Sequence, residues 1–232
     1  MKLWLPALAL AATAFAAAPP AADADVRLSN ERTVTRWAHA NLLSKVRARP
    51  SRAARTIARL RWKTEDGPAE VYVVLGSRRV RGRTWMQVRI PGRPNGRRGW
   101  VPRDALGGLH KVHTALTINR TTLRAKLTRR GRVVWTSRVG VGAAGTPTPA
   151  GRFWIRERLR GFGGSYGPWA FGTSAYSNQL TGWPGGGVIG IHGTDQPGLI
   201  PGRPSHGCVR VPNAAILRLA RLMPVGTPVR IR

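Results

Sequence analysis

The sequence predicts a mainly β protein, in which a small N-terminal β-barrel precedes a β-rich sandwich that carries one helix near its C-terminal end. Three observations predict this fold class. Short segments rich in β-branched and aromatic residues recur between turn residues along the chain. Residues 122–127 alternate strictly between polar and apolar side chains, which is the period of a half-buried strand. Helical periodicity is clear only in residues 212–223.

Residues 1–24 have the features of a secretory signal peptide. Lys2 precedes an Ala-rich apolar run, Leu3–Ala18, which is too short to span a membrane comfortably. Ala22 and Ala24 form a small-x-small cleavage signal. An uncleaved anchor is the alternative. We expect an exported protein without a stable membrane span, because no later segment is apolar enough to cross a bilayer.

Residues 33–106 are predicted to form the small barrel. Glu70–Gly76 and Thr84–Ile90 are rich in β-branched and aromatic residues and are predicted strands. Asn95-Gly96 is a turn signal, after which the chain returns to a strand at Trp100. This layout, with its Gly-Trp-Val step, resembles a bacterial Src-homology-3-like domain. The resemblance implies a barrel that either grips glycan or serves as a spacer.

Residues 110–232 are predicted to form the second, larger unit. Its helix is expected to begin at Asn213, whose side chain can cap the first turn, and to end before Pro224 and Gly226. The predicted apolar stripe of this helix is Ile216, Leu217, Ala220 and Met223. Residues 161–187 are rich in glycine and in aromatic residues, and are expected either to form a lid or wall of a groove or to pack at the edge of the sandwich. The aromatic residues are Tyr166, Trp169, Phe171, Tyr176 and Trp183.

The sole cysteine, Cys208, lies in the loop IHGTDQPGLIPGRPSHGCVRV, residues 191–211. A lone thiol in an exported chain has no internal disulfide, so it is either a buried small apolar residue or a reactive group. The neighbouring Ser205, His206, Gly207 and Arg210 do not form an apolar pocket, which favours the reactive thiol.

A nucleophilic thiol needs a base, or neighbours that lower its pKa. His192 ends the predicted strand VIGIH, and His206 precedes the cysteine by two residues. In an extended segment, residues 206, 208 and 210 share a face, so Arg210 would lie beside the thiol and could hold a substrate carboxylate. The backbone N–H groups of Gly207 and Cys208 are candidates for stabilising an oxyanion.

The sequence HGT at 192–194, followed by SHGCVRV at 205–211, resembles the signature of the L,D-transpeptidase (YkuD) family. TPTPAGRFWI at 146–155 resembles the threonine-proline stretch that lies upstream in that family. The resemblance covers roughly residues 110–232. It implies a β-rich catalytic sandwich with a helix after the catalytic strand, and an exported enzyme that acts on peptidoglycan stem peptides without a cofactor.

The resemblance also implies roles for individual residues. Cys208 would attack the carbonyl of the diamino acid at the third stem position, expel the terminal D-alanine and pass the acyl group to an amine. His192 would be the base and the Gly193 carbonyl would orient it. The remaining implied substrate contacts are Ser205, His206, Gly207 and Arg210. Water in place of the amine would give carboxypeptidase activity.

Several alternatives are weighed against this assignment. Cys208, two histidines and Asp195 could bind zinc, but the resemblance explains their spacing without a metal. In papain-like wall endopeptidases the cysteine precedes the histidine, and sortases have a longer interval between the two. His39, His110 and His113 are expected to be structural or exposed. A non-enzymatic wall-binding protein would explain the charge but not the loop.

The chain carries 39 Lys and Arg against 9 Asp and Glu, a net charge of +30. This charge predicts attraction to polyanions. Nucleic acid is not an expected partner, because the chain is expected to be exported and its basic residues are spread over both halves. Anionic polymers and peptide carboxylates of a bacterial wall are the expected partners. A monomer is expected, and the charge alone identifies no reaction.

Overall fold

A computed structural model describes Met1, residues 25–182 and residues 184–232. The predicted signal peptide lies outside the described residues, apart from Met1. The described chain forms two sheets, one from each half, and is mostly β. In this part of the chain no helix is both long and apolar enough to cross a bilayer.

The N-terminal sheet has eight strands and antiparallel pairing throughout. Its spatial order is β4-β3-β7-β6-β5-β2-β8, with β1 added on β5. The described residues contain no pairing between the end strands β4 and β8, so the hydrogen bonds do not close the predicted barrel. The strands are β1 (Val26–Arg27), β2 (Thr35–Ala38), β3 (Lys45–Arg47), β4 (Thr56–Arg59), β5 (Tyr72–Val80), β6 (Arg83–Arg89), β7 (Arg98–Pro102) and β8 (His110–Val112).

The second sheet has ten strands in the order β11-β10-β9-β18-β13-β14-β15-β17-β12-β16. The long strand β13 joins its halves: residues 151–154 pair with β18, and later residues pair with β14. Apolar side chains from both halves and from one helix, α1, form a common core, as in a sandwich. The elements are β9 (Thr114–Asn119), β10 (Arg124–Arg129), β11 (Arg132–Arg138), β12 (Gly140–Gly142), β13 (Gly151–Gly163), β14 (Gly167–Tyr176), β15 (Val188–His192), β16 (Gly202–Ser205), β17 (Val209–Arg210), α1 (Asn213–Leu222) and β18 (Pro228–Ile231).

The predicted alternating strand begins two residues later than expected. Leu123 has a φ of 51° and belongs to the preceding turn, so β10 starts at Arg124. From there Ala125 and Leu127 are buried, while Arg124 and Lys126 are exposed. The mainly β class and the single helix of the prediction are confirmed.

Helix α1 departs from the prediction at its start and along its face. Its N-cap is Pro212, and no side chain caps it, so the predicted cap by Asn213 is wrong. The Asn213 Oδ1 instead accepts the N–H of Thr194 at 2.9 Å. Leu217, assigned to the apolar stripe, is exposed, and Leu219 is buried in its place.

Apolar and ionic contacts join the two units. Trp37 and Val71 of the N-terminal sheet pack with Trp154, whose indole N–H donates to the Val71 carbonyl at 2.7 Å. Beside them the fully buried Arg156 forms ion pairs with Glu70 and Glu65. Removing one partner of a buried ion pair lowers the free energy of unfolding by about 3–5 kcal/mol, because the other charge is left buried. The N-terminal unit is therefore packed against the second sheet through both buried apolar and buried ionic contacts.

Candidate active site

Strands β15 and β17 bring the predicted site residues together. They pair in parallel, with Ile191 opposite Val209 and His192 opposite Arg210. Ile191 and Val209 are buried in the core. Because side chains alternate along a strand, His192, Cys208 and Arg210 lie on the opposite face of the sheet.

The thiol and the imidazole flank Gly190. The Gly190 N–H donates to the Sγ of Cys208 at 3.3 Å. A methyl group at Gly190 would lie 3.7 Å from that Sγ and 3.7 Å from the Cδ2 of His192. A residue without a side chain at this position therefore leaves an open gap between the two groups, into which a reacting carbonyl can fit.

The orientation of His192 is fixed by the next residue along the chain. Its Nδ1 lies 2.6 Å from the carbonyl oxygen of Gly193. Since a carbonyl only accepts, Nδ1 carries the hydrogen and Nε2 is left as the basic nitrogen. Burial, with a smaller effect of Arg210, lowers the pKa of His192, whereas the Gly193 carbonyl raises it. The neutral imidazole is therefore the favoured form, as a general base requires.

The pKa of Cys208 differs from the expectation drawn from its neighbours. Burial raises the pKa of the half-buried thiol, and this outweighs the lowering by the Gly190 N–H and by Arg210. The resting pair is thus a neutral thiol and a neutral imidazole. A nucleophilic attack by this sulfur would therefore require its proton to be removed in the same step, and His192 is the neighbouring group that could accept it.

The position of Gly193 depends on a residue that sequence reasoning treated only as a helix cap. The Asn213 Oδ1 would lie 2.4 Å from a methyl group at Gly193, so only glycine fits there. The same oxygen accepts the N–H of Thr194. Asn213 therefore holds the backbone whose carbonyl orients His192.

Two hydroxyl groups hold the turn before the cysteine. Ser205 Oγ donates to the Cys208 carbonyl at 2.5 Å and accepts the Gly207 N–H at 3.2 Å. Thr148, from the threonine-proline stretch, donates to the Gly207 carbonyl at 2.7 Å. Gly207 has a φ of 120°, which favours glycine. Because Ser205 accepts the Gly207 N–H, the Cys208 N–H is the remaining one of the two predicted oxyanion donors.

Gly190, His192 and Cys208 line a cleft of about 560 Å³. His206 is exposed at its rim, and Arg210 donates to Gln196 Oε1 at 3.0 Å. The Arg210 Nε is buried without a hydrogen-bond partner among the described residues. Arg210 therefore has a donor available for a ligand.

The aromatic residues of the 161–187 stretch lie in different surroundings. Tyr166 lines the cleft, where its ring lies 4.8 Å from that of His192, whereas the Phe171 side chain is buried in the core. Trp169 packs against the guanidinium groups of Arg158 and Arg160. Tyr176 belongs to the ionic contact between the units, and Trp183 lies outside the described residues.

The other histidines make structural contacts. His110 stacks on Trp37. His39 and His113 each place Nδ1 within 3.0 Å of a backbone carbonyl, those of Glu70 and Thr33. Within the described ranges, no group of three or more His, Cys, Asp or Glu residues has an arrangement that could hold a metal ion.

Comparison with known proteins places this site in a family. The family model described as the L,D-transpeptidase catalytic domain, YkuD, matches residues 113–231. A Bacillus subtilis protein named as an L,D-transpeptidase, YkuD, is 35% identical over 119 residues, which are 51% of this chain and 65% of that protein. Its Bacillus licheniformis namesake is 37% identical over 117 residues, 50% of this chain and 63% of that protein. The chain thus spans just under two thirds of the length of these relatives.

A solved Enterococcus faecium L,D-transpeptidase is 23% identical, with a TM-score of 0.42, over 51% of this chain and 49% of that one. The assignment to a family rests on the sequence match, which covers half of the chain and includes the whole loop of residues 191–211 that carries Cys208. The chain belongs to the L,D-transpeptidase (YkuD) family.

Proposed function

We propose that the protein is an exported peptidoglycan L,D-transpeptidase. Its donor is a tetrapeptide stem, and Cys208 attacks the bond between the diamino acid and the terminal D-alanine. The observation that carries the proposal is the convergence of the Cys208 thiol and the His192 imidazole on either side of Gly190, at the floor of a cleft within the family match.

In the first half of the reaction, Nε2 of His192 takes the thiol proton as the Cys208 sulfur attacks the carbonyl carbon of the diamino acid. The carbon–nitrogen bond to D-alanine breaks, and His192 returns the proton to the leaving amine. A thioester to Cys208 remains. Because both groups start neutral, no buried charge has to be maintained before substrate arrives.

In the second half, an acceptor amine attacks the thioester carbonyl and gives a proton to His192, which passes it to the sulfur as the thioester breaks. The thiol is regenerated and a new amide is formed. Water as the acceptor would give a carboxylic acid, so one site can perform both transpeptidation and carboxypeptidase trimming.

The groups around the thiol suit a carboxylate-bearing donor. The free Nε of Arg210 can donate to the terminal carboxylate of D-alanine in a charge-assisted hydrogen bond. His206, at the rim, can contact the same end of the donor. The Cys208 N–H is the proposed donor to the oxyanion. Ser205 and Gly207 act by holding the turn that aims the sulfur.

Export and wall binding are part of the same proposal. The signal-peptide features of residues 1–24 and the location of peptidoglycan outside the membrane both support export. The net charge of +30 would hold the protein near anionic wall polymers. The protein would then be concentrated on its substrate without a dedicated contact.

The test is product analysis. Residues 25–232 are incubated with a purified disaccharide-tetrapeptide, and the molecular masses of the products are measured. We expect loss of alanine together with a dimer joined through two diamino acids, and neither product with Cys208→Ala. Loss of alanine alone would identify a carboxypeptidase. Wall binding with no product from the wild type would leave the non-enzymatic alternative and overturn the proposal.

A further inference from the structure

The floor of the cleft is a trough that runs across four strands. Glu157 on β13 pairs with Gly172 on β14, which pairs with Gly190 on β15, and Gly190 in turn contacts Cys208. The two central positions have no side chain. The row therefore has a thiol at one end, a carboxylate at the other, and an open floor between them.

The carboxylate of Glu157 extends over this floor. A methyl group at Gly172 would lie 2.0 Å from Glu157 Oε1, so that oxygen occupies the space above Gly172 on the cleft side of the sheet. The residue is 1% exposed. Thr64 donates to Oε2 at 2.5 Å, whereas Oε1 is buried and receives no hydrogen bond from an amide, hydroxyl or cationic donor of the described residues. A buried acceptor without a donor is costly unless a ligand supplies one.

A second carboxylate lies at the same end of the cleft. Asp66, from the turn that also carries Thr64, lines the cleft and acts on Glu157 both through its charge and through a side-chain hydrogen bond, in which one of the two carboxyl groups carries the proton. No Arg or Lys of the described residues forms an ion pair with Glu157 or Asp66, although the chain is strongly basic. Most other described acidic residues do form such pairs: Asp25, Glu31, Glu65, Glu70 and Asp104.

We propose that Glu157 and Asp66 bind the side-chain ammonium group of the donor's diamino acid. The inference rests on the proposed function, because it assumes a donor whose carbonyl lies at Cys208. Asp66 contacts the ammonium from the rim, and Glu157 supplies the buried acceptor behind it. Together they would select donors that carry a free amine.

Distance identifies which amine this is. The Glu157 carboxylate overlies Gly172, two strand spacings from Cys208, which is roughly 10 Å. An acceptor amine must come within about 3–3.5 Å of the thioester carbon to react. The acidic pair is too far from the thiol to hold that amine. It is within reach of the amine at the end of a straight-chain diamino acid whose own carbonyl is under attack.

The protonation of the pair fits the same ligand. Burial and, to a smaller extent, Asp66 raise the pKa of Glu157 to about 7, against the lowering by the Thr64 hydrogen bond and by the charge of Arg156. The empty pair therefore holds a proton near neutral pH, which an ammonium group displaces. Preference for an amine-bearing donor should increase from pH 6 to pH 8. Titration of Cys208 and His192 changes the rates of both donors equally, so it does not change the ratio of the two rates.

The experiment compares single-turnover acylation by two tetrapeptide donors, one with the free side-chain amine and one with that amine acetylated. The variants are Asp66→Asn and Glu157→Gln, with Asp104→Asn as the control that removes an exposed carboxylate elsewhere. We expect the wild type and Asp104→Asn to prefer the free amine by about 10-fold or more. Both site variants should lose most of that preference, because the larger loss of rate should fall on the donor that carries the free amine.

An unchanged preference in Asp66→Asn overturns the proposal, and because Asp66 is exposed this variant decides even if the buried Glu157→Gln fails to fold. A wild type without preference also overturns it. If the wild type is acylated by neither donor, the proposed function itself has failed. If it is acylated by both donors at equal rates, the transpeptidase proposal stands and only the ammonium site is lost.

Discussion

The thiol end of the cleft is built by the catalytic unit alone, whereas the opposite end is built by both units. His192 ends β15 and Cys208 immediately precedes the parallel neighbour β17. The residues that support them, Asn213 and Thr148, belong to the same half of the chain. At the far end, Thr64 and Asp66 come from the N-terminal half. The difference suggests that reactivity is a property of the catalytic sheet, while the shape and charge of the donor groove depend on the N-terminal unit.

The first test of this difference removes the proposed base, His192, from the thiol end of the cleft. We expect His192→Ala to lower the single-turnover acylation rate by about 10²–10⁴-fold, because the neutral thiol then has no acceptor for its proton. His206→Ala is the matched control, since His206 is exposed at the rim. It should retain a measurable fraction of the rate and lose mostly substrate binding. The reverse order would show that the base is misassigned.

The second test separates the units energetically. Arg156→Ala removes the buried charged partner of Glu70 and leaves it only the partly exposed Arg61, so it should lower the free energy of unfolding by about 3 kcal/mol in urea denaturation. Arg160→Ala, an exposed change on the same strand, should cost much less. Equal losses would mean that the ionic contact does not join the units.

The same contact predicts an acid sensitivity. Although burial raises the pKa of Glu65, the charges of Arg156 and Arg61 and a hydrogen bond from Tyr176 lower it to about 2. A lowered folded pKa stabilises the protein above the unfolded value, near 4.5, and the contribution is lost as the pH falls towards 2. Urea midpoints measured between pH 6 and pH 2 should therefore fall less steeply in Glu65→Gln than in the wild type.

A smaller effect is expected at the wall of the donor groove. Arg93 of the N-terminal unit donates to the carbonyls of Ser177, Leu180 and Gly186, in the segment that borders the cleft. Arg93→Ala should raise the KM for the donor several-fold while leaving kcat nearly unchanged. Arg98→Ala, at an exposed position in the same unit, is the control. If only kcat fell, Arg93 would affect the catalytic step and not the binding of the donor.

The smallest effect on catalysis is expected from salt. If the net charge only concentrates the protein on anionic wall, binding to intact wall should weaken steeply between low and high ionic strength. Turnover of a small soluble donor should change much less. Parallel losses of binding and turnover would mean that the basic residues act within the site.

Local patterns made parts of this structure predictable. The alternation around Ala125 and Leu127 gave a strand with the correct buried face, and the periodicity after Pro212 gave the helix. The cysteine loop could be assigned because His192 and Cys208 lie in one short, motif-rich segment. The structure then brings them together on adjacent strands.

The features that could not be predicted depend on contacts between distant residues. Nothing near Asn213 in sequence shows that its side chain turns away from the helix end towards Thr194. The row from Glu157 to Cys208 exists only because β13, β14, β15 and β17 are neighbours in the sheet. The raised pKa of the thiol likewise follows from its burial, which could not be predicted because its neighbours in sequence are polar.

The most direct test of the central claim is to locate the acyl group. The protein is mixed with a tetrapeptide donor in the absence of an acceptor, quenched rapidly, digested and analysed by mass spectrometry. We predict one tripeptide acyl group on the peptide that contains Cys208, and none in Cys208→Ala, which should fold normally because the sulfur accepts a single weak hydrogen bond within the described part of the chain. An adduct on another residue, or turnover by Cys208→Ala at the wild-type rate, would contradict the account.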